Sequence, residues 1–359
     1  MAHIELRSVT KKFGSTVALR DLDLTIEDGQ FFVLLGETGA GKTTTLRVIA
    51  GLDRPTSGQV FIDGVDVADW GAAERDVALV LQQYSLYPRY TVRENLEFPL
   101  KSRIRPHSKE EIATRVDRAA KTLRIEHLLD RKTDRLSGGE MQRVSIGRAI
   151  VRKPRVFLMD EPLSALDAKL RESLRTELKS LQMTLGATFL FVTHDQVEAM
   201  SMGDRVGVLN EGRLVQVGTP QEIYNDPHDT FVAGFVGSPP MNLIEGEVTG
   251  GQASARAGFA LPLAANGKAE ALAGRPVTFG IRPEDIVLGS QDGAEARVHD
   301  VENHGVEKIV TLQAGDSILR ATAPASTRLS IDETVSFGWD PARVVLFDTG
   351  SGKSLRHSA

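Results

Sequence analysis

The stretch FFVLLGETGAGKTT, from Phe31 to Thr44, decides the fold of this chain. Its first five residues are continuously apolar, which is typical of a strand buried on both faces in a parallel sheet, and the glycine-rich residues after them lead into a predicted helix that ends near Gly51. Two further apolar runs, Val156 to Met159 and Thr188 to Thr193, enclose a helical pattern that closes at Gly186. Strands that alternate with helices in this way predict an α/β domain.

The glycine-rich loop fits the pattern G-x-x-x-x-G-K-[ST] and lies between a strand and a helix, as that pattern requires. Glycines let a loop wrap with its N–H groups directed at phosphates, and the helix N-terminus adds partial positive charge. We expect Lys42 to reach the β- and γ-phosphate oxygens of ATP and Thr43 to offer its hydroxyl to Mg²⁺. A chance glycine-rich turn is the weaker reading, because average residue frequencies produce the pattern in roughly one percent of such chains. The residues expected to contact ATP here are Gly36, Glu37, Thr38, Gly39, Ala40, Gly41, Lys42, Thr43 and Thr44.

An acidic pair, Asp160 and Glu161, follows the apolar run that begins at Val156. The carboxyl ends of parallel strands are where α/β sheets place their ligands. We expect Asp160 to hold Mg²⁺, directly or through water, and Glu161 to accept a proton from the attacking water or to polarise it. A solvated turn is an equal alternative for an isolated acidic pair, but the phosphate loop favours the functional interpretation.

Composition excludes several classes of protein. The 359 residues are 41% hydrophobic and 25% charged, which is ordinary for a globular protein, and this length predicts two domains at roughly 100 to 200 residues each. A net charge of −5 argues against a dedicated nucleic-acid binder, so no nucleic-acid partner is expected. The absence of cysteine excludes disulfides, thiolate catalysis and cysteine-bound zinc. The longest apolar runs fall far short of the roughly 20 residues that span a bilayer, and the first residues lack the apolar core typical of a signal peptide, so export is not expected.

Helical periodicity predicts two long helices. One runs from Ser108 to Leu129 and begins with a capping box between Ser108 and Glu111. The other carries leucines spaced three and four residues apart, from Leu166 to Leu185. Beyond Phe235 this periodicity is lost. The linker Gly237–Pro240 leads into short alternating segments such as Ile318 to Thr322 and Arg343 to Phe347, which predict a β-rich second domain over residues 237–359.

The segment LSGGEMQR, at Leu136 to Arg143, resembles the signature motif of ABC-transporter ATPases, which usually has glutamine where this chain has Glu140. The same residues also form a Ser-x-x-Glu capping box between Ser137 and Glu140, and both interpretations are compatible. A capped helix start with two glycines is an anion site. We expect Glu140 to face its own backbone. In this family Ser137, Gly138 and Gly139 meet the γ-phosphate that is bound by the other cassette.

The resemblance implies roles for four further positions. Gln82 is similar to the glutamine that touches Mg²⁺ or the attacking water and senses the membrane subunit. Asp167, in Ser164-Ala165-Leu166-Asp167, lies in a segment similar to the loop that joins the two ATP sites. His194 matches the histidine that contacts the γ-phosphate, and Phe13 matches the aromatic residue that stacks on adenine. Without the resemblance, we would assign His194 to the surface and Phe13 to the core.

The resemblance covers the whole chain and is most specific to the carbohydrate-importing branch, typified by the maltose and glycerol-phosphate systems. It implies an α/β P-loop ATPase domain over residues 1–236, with a helical subdomain at about 85–155, and an all-β regulatory domain of small OB-like barrels over residues 237–359. The implied cofactors are ATP and Mg²⁺. The implied partners are a second copy, arranged head to tail, two transmembrane permease subunits and, indirectly, an extracytoplasmic solute-binding protein. The implied location is the cytoplasmic face of the membrane, and Tyr84 to Tyr90 are expected to receive a permease helix.

The sequence is compatible with several alternatives. The same ATPase role would serve a polyol, glycerol phosphate, a polyamine or an oxyanion instead of a sugar. A soluble ABC ATPase of translation or DNA repair would have two cassettes in tandem or a long coiled-coil insertion, and neither is present. A P-loop GTPase or kinase would leave the signature motif unexplained. The C-terminal domain is either a dimer contact or a sensor of a small ligand, and these two roles are compatible with each other.

Overall fold

The computed structural model describes residues 2–102, 106–263 and 272–356, so parts of the predicted regions 85–155 and 237–359 lie outside it. The chain forms two compact units, residues 1–220 and residues 221–359. The predicted fold class, an α/β ATPase-type domain followed by a β-rich domain, is confirmed by the elements of the two units.

The first unit contains ten strands and six α-helices within the described residues. The strands are β1 (Ile4–Phe13), β2 (Thr16–Ile26), β3 (Phe31–Gly36), β4 (Ser57–Ile62), β5 (Val65–Asp66), β6 (Val77–Val80), β7 (Val156–Asp160), β8 (Thr188–Thr193), β9 (Arg205–Asn210) and β10 (Arg213–Gly218). The helices are α1 (Lys42–Ala50), α2 (Val92–Glu97), α3 (Lys109–Thr122), α4 (Gly138–Ile150), α5 (Ala168–Leu185) and α6 (Gln196–Met202). Three 3₁₀ turns lie between α2 and α4, at Phe98–Lys101, Glu126–Leu128 and Thr133–Arg135.

A six-stranded sheet, in the order β10-β9-β3-β8-β7-β6, forms the centre of this unit. All its pairings are parallel except the one between β9 and β10. Every residue of β3, β7 and β8 is buried, as their continuous apolar runs predict. Because these three strands are neighbours and parallel, their carboxyl ends bring Gly36, Asp160 and Thr193 to one edge of the sheet.

A second, antiparallel sheet in the order β2-β1-β4-β5 packs its alternating apolar residues into the same core. Ile4, Leu6 and Val9 of β1 are buried, and the polar side chains between them face outward. Helix α1 contributes Leu46, Val48 and Ile49 to this core. The helix that follows the phosphate loop is therefore anchored by apolar packing along its length.

The helix predicted over residues 108–129 is shorter than expected. Helix α3 ends at Thr122, because Arg124 takes a left-handed backbone conformation with φ of 57°. No glycine or proline marks this end in the sequence, so periodicity alone does not reveal it. The predicted capping box at its start is half present. The Ser108 hydroxyl accepts from the Glu111 N–H at 3.1 Å, but the Glu111 carboxylate pairs with Arg115 and His107 instead.

Three other helix ends agree with their sequence signals. Ser137 and Glu140 form the predicted reciprocal capping box at the start of α4, in which the Ser137 N–H donates to Glu140 Oε2 at 2.7 Å. Helix α5 begins after Asp167, whose carboxylate accepts from the Leu170 N–H, and ends at Gly186 in a left-handed conformation. At the start of each helix the cap residue thus accepts a hydrogen bond from one N–H of the first turn.

The second unit is built almost entirely of strands within its described residues. Two short helices, α7 (Pro220–Asn225) and α8 (Thr230–Phe235), lie at its start. The strands form two five-stranded antiparallel sheets, ordered β13-β12-β11-β14-β20 and β15-β19-β16-β17-β18, around one apolar core. The strand predicted from Arg343 begins later than expected, because Pro341–Arg343 form a 3₁₀ turn before the last strand. The strands are β11 (Asn242–Thr249), β12 (Gln252–Ala255), β13 (Ala260–Pro262), β14 (Pro276–Ile281), β15 (Ile286–Leu288), β16 (Ala294–Asn303), β17 (Glu307–Ala314), β18 (Ser317–Pro324), β19 (Thr334–Trp339) and β20 (Val345–Asp348).

Across the described ranges, none of the helices combines the length and the apolar character that crossing a bilayer requires.

Candidate functional site

The phosphate loop runs from the end of β3 to the start of α1. Gly41 has a φ of 107°, which side-chain-bearing residues rarely adopt, and it directly precedes the first residue of α1. A Cβ on Gly36 would lie 2.4 Å from the carbonyl oxygen of Leu209, so that position excludes any side chain. These two glycines bring the loop tightly round the N-terminus of α1, where backbone N–H groups lack helical partners. The result is an anion site with partial positive charge.

Lys42 is the buried cation of this loop, with 4% of its surface exposed. Its Nζ donates to the carbonyl oxygens of Gly36 and Glu37, both at 2.9 Å, and lies 3.5 Å from Glu161 Oε1. Burial lowers the pKa of Lys42, and the nearby carboxylate of Glu161 partly opposes this shift. A buried ammonium gains from a polyanion placed beside it, because the polyanion offsets the cost of removing the charge from water. The geometry therefore favours phosphate binding.

Asp160 and Thr43 meet across the sheet edge. The Thr43 hydroxyl donates to Asp160 Oδ1 at 3.0 Å, and Asp160 is 8% exposed. Burial raises the pKa of Asp160, while the hydrogen bond from Thr43 works in the opposite direction. An alcohol oxygen and a carboxylate are the hard oxygen ligands that Mg²⁺ takes when nucleotide phosphates and water complete its shell. These two residues therefore fit a nucleotide-bound Mg²⁺, although no metal-binding cluster of three acidic or histidine side chains exists among the described residues.

Glu161 connects the phosphate loop to His194. Its Oε2 lies 2.9 Å from His194 Nδ1, while its Oε1 faces Lys42. Glu161 has a φ of 43°, and its N–H donates to the Val192 carbonyl at 3.0 Å, which turns the chain sharply at the end of β7. A non-glycine residue held at positive φ at a strand end is a feature that clusters at functional sites.

Gln82 is linked to Glu161 by hydrogen bonds through the Ser164 side chain. Its Nε2 donates to Ser164 Oγ at 3.3 Å, and the Ser164 hydroxyl donates to the Glu161 carbonyl oxygen at 2.9 Å. The structure thus brings together Lys42, Thr43, Asp160, Glu161 and His194 directly, and Gln82 through Ser164. Asp167 lies three residues beyond Ser164, where its carboxylate caps α5.

The signature segment is separate from this cluster. Ser137 forms hydrogen bonds with Glu140, and no hydrogen bond joins it to the phosphate loop among the residues described. A Cβ on Gly139 would lie 2.4 Å from a methyl group of Leu170, so this glycine permits close packing of α4 against α5. The capping hydrogen bond from the Ser137 N–H lowers the pKa of Glu140 and holds its carboxylate against its own backbone, as expected.

Phe13 ends β1 on the surface, with 48% of its area exposed, rather than in the core. Lys11 Nζ lies 4.8 Å from the centre of its ring. An exposed ring at the end of a strand is available for stacking on a flat base.

Replacing Phe13 by alanine is expected to raise the KM for ATP about fivefold and to leave kcat nearly unchanged. Stacking contributes on the order of 1 kcal/mol, and a contact far from the reacting phosphate is equally strong in the ground and transition states. Steady-state ATPase kinetics measure both constants. Phe61→Ala is a suitable comparison, because Phe61 also stacks with a cation, Arg7, but lies on β4. An unchanged KM would contradict adenine stacking.

The polar network beside His194 was not predicted from the sequence. The Thr193 hydroxyl donates to Glu198 Oε2 at 2.5 Å and accepts from the Asp195 N–H at 2.9 Å. Glu198 is buried, and burial raises its pKa. The signal available in the sequence was the pattern Asp-x-x-Glu from Asp195 to Glu198, which marks a helix start, and α6 does begin at Gln196.

Comparison with known families identifies three family models along the chain. The ABC transporter family model matches residues 19–164, the MalK OB fold domain matches residues 237–286, and the TOBE domain matches residues 279–347. Among curated proteins, the chain is 46% identical to the sulfoquinovosyl glycerol transport ATP-binding protein of Agrobacterium fabrum, over 99% of this chain and 100% of that protein. It is also 46% identical to the trehalose/maltose import ATP-binding protein of Thermococcus litoralis, with the same coverage. The sn-glycerol-3-phosphate import ATP-binding protein of Rhizobium meliloti is 49% identical, over 93% and 95%.

Solved structures of ATP-binding cassettes resemble about three fifths of the chain. A dimeric ATP-binding cassette described in a post-hydrolysis state with ADP and Pi is 36% identical, with a TM-score of 0.54, and it covers 60% of this chain and 98% of its own. A cassette from a Clostridium perfringens cbiONQ transporter is 28% identical, with a TM-score of 0.57, over 61% and 89%.

Proposed function

The chain belongs to the ABC-transporter ATPases, in the branch of importer ATP-binding subunits that includes the maltose and glycerol-phosphate systems, and from this premise we propose how its residues hydrolyse ATP and drive import. It binds ATP and is an ATPase coupled to transmembrane transport. The observation that supports the proposed site is the line of contacts from Lys42 through Glu161 to His194, at the ends of three neighbouring strands.

In the proposed reaction, the phosphate loop and Lys42 bind the β- and γ-phosphates of ATP. When a phosphate pairs with the Lys42 ammonium, the ion pair between Lys42 and Glu161 is weakened. The Glu161 carboxylate then accepts a proton from the attacking water. The water oxygen bonds to the γ-phosphorus, and the bond to the bridging oxygen breaks, so that ADP leaves with the bonding electrons. His194 holds Glu161 through Nδ1, which leaves Nε2 for the γ-phosphate. Thr43 and Asp160, with Gln82 nearby, would hold Mg²⁺, which supplies neutralisation of the developing charge.

Two copies of the chain are needed for complete sites. ABC cassettes that resemble this chain are described as dimers. In the proposed head-to-tail dimer, Ser137, Gly138 and Gly139 of one chain complete the site that Lys42 and Glu161 form in the other. The capped N-terminus of α4, with its free backbone N–H groups, supports this role as an anion site. Asp167 would lie in the loop that joins the two sites.

The proposed assembly includes two membrane permease subunits on the cytoplasmic face and an extracytoplasmic solute-binding protein. The solute is a sugar or a related polyol or glycerol phosphate, which is supported by relatives named for trehalose/maltose and for sn-glycerol-3-phosphate import. The C-terminal unit is proposed as the regulatory domain of this subunit.

Reconstitution tests the function as a whole. The chain would be purified with the permease subunits encoded beside its gene and placed in liposomes, and uptake of candidate sugars would be measured with and without ATP and the solute-binding protein. Uptake that depends on ATP and on the loaded binding protein is the expected result. Failure to copurify with any permease, or uptake without ATP, would contradict the proposal.

Tyr84 to Tyr90 form the proposed permease surface. Asn95 and Thr133 hold the Tyr87 backbone, and the Tyr87 ring packs against Phe98, with 4.4 Å between ring centres. The segment is thus fixed to the helical region while Tyr90 and Phe98 keep more than a third of their area exposed. A fixed loop with exposed aromatic rings is suited to an interface.

Replacing Leu86 by aspartate is expected to abolish transport while ATPase activity of the isolated chain stays within about twofold. A carboxylate in place of this half-buried leucine must lose its hydration when the partner docks, and nothing apolar remains there to offset that cost. Transport in liposomes and ATPase activity of the free chain are both measured. Leu52→Asp, at an exposed leucine beyond α1, is the matched control and should transport normally. A Leu86→Asp protein that unfolds would instead favour a packing role for this residue.

A further inference from the structure

Arg171, in the first turn of α5, links two loops of the site by its two terminal nitrogens. Its Nη2 donates to the carbonyl oxygen of Leu166 at 3.1 Å, in the loop that carries Asp167. Its Nη1 donates to Asp195 Oδ2 at 3.3 Å, in the residue that directly follows His194. One guanidinium therefore bridges the Asp167 loop, which is expected to contact the second cassette, and the loop that holds His194.

The far end of this bridge is rigid. Asp195 uses its other oxygen, Oδ1, to accept from the N–H groups of Val197 and Glu198 at the start of α6. Its own N–H donates to Thr193 Oγ1, and Thr193 in turn donates to the buried carboxylate of Glu198. Hydrogen bonds thus hold both the side chain and the backbone N–H of Asp195. A displacement of its carboxylate therefore moves the backbone, and with it the neighbouring His194.

The near end of the bridge is a single backbone carbonyl. Leu166 is buried and lies between Ser164, which bonds to Glu161, and Asp167, which caps α5. Both bonds are charge-assisted, the one to Asp195 joins two ions, and the planar guanidinium has a fixed distance between its nitrogens. Arg171 Nε also lies 4.0 Å from Glu198 Oε1. Lysine, with one nitrogen, has no second donor group with which to hold both loops.

We propose that Arg171 is a positioning residue that couples the Asp167 loop to the placement of His194 against Glu161. Contact of Asp167 with the second cassette shifts the Leu166 carbonyl, and Arg171 passes this shift to Asp195 and His194. The inference rests on the proposed function, because it assumes that Asp167 faces a second chain. It makes hydrolysis at one site depend on closure at the other.

The test compares Arg171→Ala and Arg171→Lys with wild type by ATPase kinetics of the full chain. Both variants are expected to lower kcat about tenfold, to leave the KM for ATP within twofold and to reduce the Hill coefficient for ATP towards one. In a His194→Ala background, adding Arg171→Ala should lower kcat by less than a further twofold. Arg171 is proposed to act only through His194, so its loss has little effect once the histidine is absent. Asp195→Asn keeps the helix-capping oxygen but loses the ionic contact, so it should reproduce the Arg171→Lys result without unfolding α6.

Arg175→Ala is the matched control, since Arg175 lies one turn further along α5 and forms no hydrogen bond to either loop within the described residues. It should retain wild-type kcat and cooperativity. If Arg171→Ala lowers kcat by the same factor with and without His194, the proposal is overturned. It is also overturned if the loss of kcat is fully explained by a lower melting temperature, because that would show a structural role. Wild-type kinetics in Arg171→Lys and Asp195→Asn would also overturn it. If wild type itself shows no ATPase activity above Lys42→Ala, the proposed function fails, and this outcome is distinct from the others.

Discussion

Glu161→Gln is expected to lower ATP turnover by roughly 10²- to 10⁴-fold while the chain still binds ATP, because the amide keeps the shape of the carboxylate but accepts no proton from water. The contacts around Glu161 make this change specific. Glutamine keeps an oxygen for the 2.9 Å contact with His194 Nδ1 and removes the negative charge that lies 3.5 Å from Lys42. Loss of that charge frees Lys42 for phosphate, so ATP affinity should be maintained or increased.

The same variant is expected to accumulate as a closed dimer with ATP. When ATP joins two cassettes and hydrolysis lets them part, blocking hydrolysis leaves the joined state populated. Light scattering with and without ATP measures the mass, preferably with the permease present, and a phosphate-release assay measures turnover. Glu172→Gln, at an exposed glutamate of α5, is the control and should hydrolyse normally. Turnover at the wild-type rate would show that Glu161 is not the base, and a variant that stays monomeric with ATP would contradict the two-chain site.

Lys42→Ala is expected to weaken ATP binding at least tenfold and to lower turnover at least a hundredfold. Removing one charged donor beside the transferring phosphoryl group costs on this order in other enzymes, and Lys42 is the buried cation of the loop. The substitution also leaves the Gly36 and Glu37 carbonyls without the donor that holds them, so the loop loses part of its shape.

Thermal shift separates lost binding from lost folding in this variant. ATP should raise the melting temperature of wild type, because a ligand that binds only the folded state stabilises it, and should raise that of Lys42→Ala by less at the same ATP concentration. Lys12→Ala, at an exposed lysine of β1, is the control and should respond to ATP like wild type. A Lys42→Ala protein with normal ATPase activity would contradict the assignment of the phosphate loop.

Much of the first unit was predictable because its elements carry local signals. The buried strands β3, β7 and β8 appear as continuous apolar runs, and Gly186 marks the end of α5. The end of α3 at Thr122 was not predictable, because it depends on Arg124, a residue with no intrinsic preference for positive φ. Packing of the following residues, which include the buried Leu128, compensates for that conformation.

The sequence by itself determined the phosphate loop and the capped start of α4, because both depend on residues within a few positions of each other. Ser137 reaches Glu140 within one helical turn, whatever the rest of the chain does. The tertiary structure decided that Lys42, Glu161 and His194 form one line of contacts, and that Arg171 joins two loops. Except for the local bond from Arg171 to the Leu166 carbonyl, these contacts join residues that are distant in the sequence. They exist because β3, β8 and β7 are neighbours in a parallel sheet, and pairing between distant strands depends on the packing of the whole core.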